Sequence, residues 1–190
     1  DCILDLTVSA AFDAGMRTVP WNPETRYLPI ECKPRTERGK LPVLMAVAEC
    51  QLGSNPRYAP TLVDTYCSTF LWDCTRRLGC EVPHWVSPAG APSAAGEIGA
   101  RELNANGMAT WLRGHGVDNG WMACTEEHAR ETVEAGNVVI VVWENTRGPH
   151  GHCAVMVDRG HVAQAGTVCS ERMPLHTAFG NRTPEFYVHL

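Results

Sequence analysis

Gly151-His-Cys-Ala-Val-Met-Val-Asp-Arg-Gly-His-Val-Ala-Gln-Ala-Gly166 holds two runs of strand-forming residues on either side of Asp158-Arg-Gly160. Turn residues between two such runs specify an antiparallel hairpin, with strands over 152–157 and 161–165. If the three turn residues form the loop with Gly160 left-handed, Val157 faces His161, Ala154 faces Gln164 and His152 faces Gly166. Side chains alternate along a strand, so this register puts His152 and Gln164 on one face as diagonal neighbours, about 7 to 8 Å apart. A two-residue loop would separate them.

Working outward, Val138-Val-Ile-Val-Val-Trp143 and Glu185-Phe-Tyr-Val-His189 supply two further strands. Upstream the pattern is helical. Thr125 to Ala135 opens on a capping Thr with two acids behind it and closes before Gly136. A second helix is expected from about Ile98 to Arg113. A third runs from Thr65, where Cys67, Phe70 or Leu71, Cys74 and Leu78 form one apolar stripe that stops at Gly79. Leu41 to Leu52 reads as a helix with Pro42 in its first turn and Gly53 past its end. Ser87 to Gly96 is small, uncharged and rich in Pro and Gly, a loop within the domain. Pro20, Pro23, Pro29 and Pro34 break residues 1–40 into loops wrapped over a core. Helices first and strands second predict an α+β fold with N-terminal helices packed on an antiparallel sheet.

The 190 residues, 44% hydrophobic, suit one domain with one core. No apolar run approaches the roughly 20 residues needed to span a bilayer. The net charge of −5 lacks the basic footprint expected for nucleic acid or anionic lipid, so neither nucleic acid nor membrane is expected as a partner. The chain opens at Asp1 without a charged and apolar leader, which leaves a removed signal or a larger upstream portion open.

Nine cysteines, with no CxxC pair among them, leave at least one thiol unpaired within the chain. A reactive thiol needs a neighbour that can take its proton. Cys67, at the start of its helix, is the candidate nucleophile, because the positive end of the helix dipole favours thiolate. His152 is the candidate base and Gln164 the group that orients its ring. Free N–H groups at the helix start would receive a developing oxyanion, and acyl transfer from an amide uses all four parts. Cys74 and Cys153 read as core, the latter pointing away from the His152 face.

Tyr66-Cys-Ser-Thr-Phe70 leading into Trp72-Asp-Cys-Thr-Arg-Arg-Leu-Gly79, then Gly151-His-Cys-Ala-Val-Met-Val157 and His161-Val-Ala-Gln-Ala-Gly166, occur in the order found in papain-like cell-wall hydrolases. Over roughly residues 55 to 170 the chain resembles the NlpC/P60 and CHAP families. Arg101 to Trp111 also looks similar to a segment of phage- and effector-associated members. The resemblance implies one catalytic domain over 1–190, with 1–52 as N-terminal extension and first helix and 53–190 as a papain-like core. It implies cleavage of an amide in peptidoglycan, in the stem peptide or between muramic acid and L-Ala, with Cys67, His152 and Gln164 as nucleophile, base and orienting residue. No cofactor or metal is called for. Action in the cell envelope after secretion or delivery follows from that substrate. A larger phage or secretion-system polypeptide, or an immunity protein, would be its protein partner.

Other readings use the same residues. A protein-modifying cysteine protease, deamidase or transglutaminase-like toxin would apply the triad to another amide. A non-enzymatic module could instead bind zinc through His150, His152, Cys153 and His161, although His152 and Cys153 point to opposite faces of a strand. Tyr66 and Trp85 are candidate substrate contacts. Trp85, with Trp111, Trp121 and Trp143, could line a groove or simply pack. Asn104 and Asn106 are either helix-surface groups or substrate contacts. Asn145 is the alternative orienting residue.

Overall fold

The computed structural model describes residues 28–190 together with the two-residue strand β1, Met16–Arg17. Pro20 and Pro23 lie outside the described residues, and 28–39 carries no helix or strand. Then follow α1 (Lys40–Cys50), α2 (Cys67–Arg77), β2 (Trp85–Val86), β3 (Arg101–Leu103), α3 (Ala105–His115) and β4 (Trp121–Cys124). The chain continues through α4 (Glu126–Glu134), β5 (Val138–Trp143), β6 (His152–Asp158), β7 (His161–Ala165), β8 (Cys169–Pro174), α5 (Leu175–Phe179) and β9 (Glu185–His189). No helix among the described residues is long and apolar enough to cross a membrane.

Six strands form one antiparallel sheet in the order β4-β9-β5-β6-β7-β8, and β1-β3-β2 form a smaller one. The fold is therefore α+β. Both faces of the large sheet are covered. Ile140, Val142, Cys153, Val155 and Ala163 pack with residues of α1, α2 and α3 on one side. Val139, Val141, Ala154, Met156 and Val162 pack with Ala129 and Val133 of α4 and Leu175 and Phe179 of α5 on the other. That double burial is why β5 reads as an unbroken apolar run rather than an alternating one. Each aliphatic side chain so enclosed contributes about 1.5 to 3 kcal/mol.

The hairpin arrives at the expected pairing by a different turn. Asp158 pairs with His161, so the loop is the two residues Arg159 and Gly160, and Gly160 is not left-handed. The Asp158 carboxylate instead accepts the Gly160 N–H at 2.8 Å. Val157 is then bulged out of register, and beyond it Met156 meets Val162 and Val155 meets Ala163. One bulged residue flips the parity that a two-residue loop alone would give, and so restores the face shared by His152 and Gln164.

Three other expectations change. The helix expected from Ile98 starts only at Ala105: Arg101–Leu103 is drawn into the small sheet against Trp85–Val86, and the Asn104 side chain caps α3 by accepting the Gly107 N–H at 2.9 Å. Helix α1 stops at Cys50, with the left-handed position taken by Gln51 rather than by Gly53. Strands β4 and β8 add two edges to the sheet. Helix α4 is capped by Thr125, whose hydroxyl accepts the His128 N–H.

Candidate active site

Helix α2 brings Cys67 to the sheet. Its axis is fixed from below by Asp73, a fully buried carboxylate that accepts from Arg57 Nε at 2.5 Å, Arg57 Nη2 at 2.9 Å and the Tyr58 hydroxyl at 2.8 Å. Trp72 Nε1 donates to Glu81 at 2.7 Å, and Gly79, left-handed at φ +71°, closes the end. At the other end Tyr66 occupies the cap position but gives the first turn no side-chain hydrogen bond. The first intrahelical bond runs from Phe70 N to Tyr66 O, which leaves the N–H groups of Cys67, Ser68 and Thr69 without an intrahelical acceptor. Cys67 therefore sits at an uncapped helix start, under the positive end of the dipole.

His152 is the first residue of β6, opposite Trp143 at the end of β5. Its Nε2 lies 2.5 Å from Gln164 Oε1. The Gln164 amide cannot turn freely, because its Nε2 donates to the Val168 carbonyl at 3.1 Å and to Met173 Sδ at 3.2 Å. The oxygen is thus presented to His152, whose Nε2 must carry the proton, and Nδ1 is the nitrogen left for Cys67. Phe179 walls the ring on one side at 5.1 Å between centroids.

Cys67 and Cys153 are buried in one core cluster, and the Cys67 thiol is close enough to Cys153 and to the His152 imidazole for each to act on its charge. His152 and Cys153 are the first two residues of their strand, and their side chains leave opposite faces. Cys67 is held well below the ordinary thiol range, first by the neighbouring Cys153 thiol and, against the opposing effect of burial, by the neighbouring His152 imidazole and its charge. The His152 imidazole moves the other way: burial opposes its charge, yet the contact with Cys67 and the Gln164 oxygen raise it. Cys153 is pushed well above the thiol range by burial and by Cys67, so it stays a thiol and a donor. Both shifts favour a thiolate beside an imidazolium.

The structure brings Cys67, His152 and Gln164 together. Cys153 is core and its side chain leaves the His152 face, as expected, and the core it joins also holds Cys67. Cys153, Val168 and Met173 were not legible as site residues, since each acts through a contact that only the packed elements create. Trp85 is corrected as a substrate contact. It is 1% exposed and set edge-on to His84, which itself stacks on Trp72 and lies 2.7 Å from Glu102. Tyr66 stays beside Cys67 but is mostly buried. Trp111 and Trp121 are core, and Trp143 carries the Arg182 guanidinium 4.6 Å from its ring centre. Asn145 does not orient the imidazole; its Nδ2 donates to the His150 carbonyl at 3.1 Å. Among the described residues no three His, Cys, Asp or Glu side chains gather in a way that could hold a metal ion, and His161 Nδ1 is engaged by Asp158 at 2.7 Å. All eight described cysteines are free thiols; Cys2 lies outside the described residues. Comparison of the chain with protein-family models and with curated proteins finds no match in either.

Proposed function

We propose that this protein is a cysteine-dependent hydrolase of amide bonds, with a papain-like core, that acts on bacterial peptidoglycan. The observation that carries the reading is the alignment of Cys67 at an uncapped helix start with an imidazole whose far nitrogen is fixed by Gln164. A thiolate there attacks the amide carbonyl. The free N–H groups of Cys67 and its neighbours face the oxygen as it gains charge. His152, resting as imidazolium, gives its Nδ1 proton to the leaving amine, and the acyl group stays on sulfur as a thioester. The neutral imidazole then takes a proton from water, which attacks the thioester and restores the thiol. Gln164 holds the ring in one orientation through both halves. It carries no charge, so it directs the imidazolium without neutralising it.

The choice of peptidoglycan rests on the resemblance of the Cys, Gly-His and Gln segments to those of the NlpC/P60 and CHAP families, and action in the cell envelope would follow from that substrate. The test is incubation with purified sacculi followed by mass spectrometry of the released muropeptides, with Cys67→Ala as control. New amino or carboxyl ends that depend on Cys67 identify both the activity and the bond. Intact sacculi together with ammonia release from protein glutamines would replace this substrate with a protein one.

A further inference from the structure

The eight-residue connection between β5 and β6 delivers His152, and beyond its own turn bonds it is tied to the start of α3. Asn106, in the first turn of α3, uses every polar atom of its side chain on this loop. Its Oδ1 accepts the Asn145 N–H at 2.8 Å, and its Nδ2 donates to the carbonyls of Gly148 at 3.0 Å and Asn145 at 3.3 Å. Asn104, which caps α3, donates to the Pro149 carbonyl at 2.9 Å. The residue next to the imidazole is shaped to this clamp. A Cβ on Gly151 would lie 2.3 Å from Asn106 Oδ1 and 2.5 Å from the Trp143 carbonyl, so only glycine lets the amide approach.

We propose that Asn106 is a positioning residue for the His152 base: it fixes the β5–β6 loop against the start of α3 and thereby sets the imidazole over Cys67. This rests on the reading of Cys67 and His152 as the reacting pair, but not on the identity of the substrate. Without the amide, the Asn145 N–H and the Gly148 carbonyl lose this partner, and the Asn145 carbonyl keeps only the Gly148 N–H. The loop then samples other shapes, and His152, as the first paired residue of its strand, moves with it. A displacement of an ångström is enough to weaken the ion pair and the proton transfer.

The experiment is site-resolved alkylation of Cys67 by iodoacetamide across pH, read by mass spectrometry, in wild type, Asn106→Ala and Asn106→Asp. The aspartate keeps the shape and the acceptor for Asn145 N–H but turns two donations into repulsion. Wild type should keep reacting at pH 6, whereas both variants should lose about tenfold there, the consequence of one pKa unit in thiolate population. In turnover the loss should fall on kcat, with KM little changed. A folded variant whose alkylation profile superimposes on wild type overturns the proposal, even if its melting temperature is lower. If Asn106→Ala does not fold, the isosteric Asn106→Asp decides alone. Because alkylation needs no substrate, failure of wild type to open sacculi would remove the peptidoglycan reading and leave this inference to its own result.

Discussion

Cys153 is buried in the same core cluster as Cys67 and acts on its charge, although it is the strand residue immediately after His152 and its side chain leaves the opposite face. A buried thiol that donates to a thiolate stabilises the charged form. Cys153→Ala should therefore move the pH midpoint of Cys67 alkylation upward, towards the ordinary thiol value of about 8.5. Cys153→Ser, which keeps a donor, should stay closer to wild type. Equal profiles for the two variants would remove Cys153 from the activation of Cys67. Only 4% of Cys67 is exposed, so a small electrophile such as iodoacetamide suits the measurement.

Gln164 and His152 should rank differently on substitution. His152→Ala removes both the acid and the base and should leave almost no turnover. Gln164→Ala removes only orientation and should lower kcat by about one to two powers of ten, roughly 1.4 to 2.8 kcal/mol. Gln164→Glu is expected to be no better than Ala. The second carboxylate oxygen would face the Val168 carbonyl that Gln164 Nε2 now satisfies, and two acceptors repel. Steady-state rates on one substrate for the three variants check the ranking, and wild-type rates in Gln164→Glu would show that the donation to the Val168 carbonyl is dispensable.

How much of this was legible in the sequence depends on where burial leaves a mark. β5, β6, β7 and β9 lie inside the sheet and announce themselves by apolar runs. Their edge neighbours are partly exposed: β8, with Ser170, Glu171 and Arg172, carries no such run, and the apolar stretch of β4 is only four residues long. Arg101–Leu103 has helix-forming composition and is a strand only because partners are present on both sides, a tertiary override of local propensity. The pairing of His152 with Gln164 followed from parity, even though the turn was of another type and a bulge at Val157 supplied the correction. Cys153 against Cys67 depends on where the helix start comes to rest over the strand, and no period in the sequence encodes that. The same holds for Asn104 and Asn106, whose partners lie about 40 residues on in the chain.

Asp158 ties the hairpin turn together and should make stability depend on acid pH. Burial works against its charge, but the Gly160 N–H, His161 and Arg172 hold its carboxyl down to about 2. A carboxylate depressed in the folded state contributes stability above its unfolded value of about 3.9, and that contribution is lost as pH falls through the folded value. Wild type should thus lose stability between about pH 4 and 2 from this group. Asp158→Asn should melt lower at pH 7, by an amount on the order of 1 kcal/mol, and the gap should close in that acid window. Thermal melts at pH 7 and pH 3 test it; a gap of constant size would mean that the loss comes from geometry and not from charge.

Asp73 should show the largest stability effect, and its effect should reach the active site through α2. It is fully buried, while Arg57 is only slightly exposed and Tyr58 not at all. Burial and the Asp73 charge push the Tyr58 phenol well above its usual range, so it remains a donor to this carboxylate throughout the accessible pH range. Asp73→Ala removes the acceptor from a buried guanidinium and a buried hydroxyl, and breaking such a pair by one partner typically costs about 3 to 5 kcal/mol. Asp73→Asn keeps the volume and one acceptor oxygen and should cost less. Replacing Arg57 alone strands the carboxylate instead, and the double variant Arg57→Met with Asp73→Leu should recover part of the loss, since neither charge is then left buried. Urea denaturation of the four proteins measures this. If the double variant is no more stable than Asp73→Ala, the penalty is one of packing around α2 rather than of an uncompensated charge. Where α2 is loosened but the protein still folds, turnover by the proposed mechanism should fall with Cys67 alkylation, because the helix that carries Asp73 at its seventh position carries Cys67 at its first.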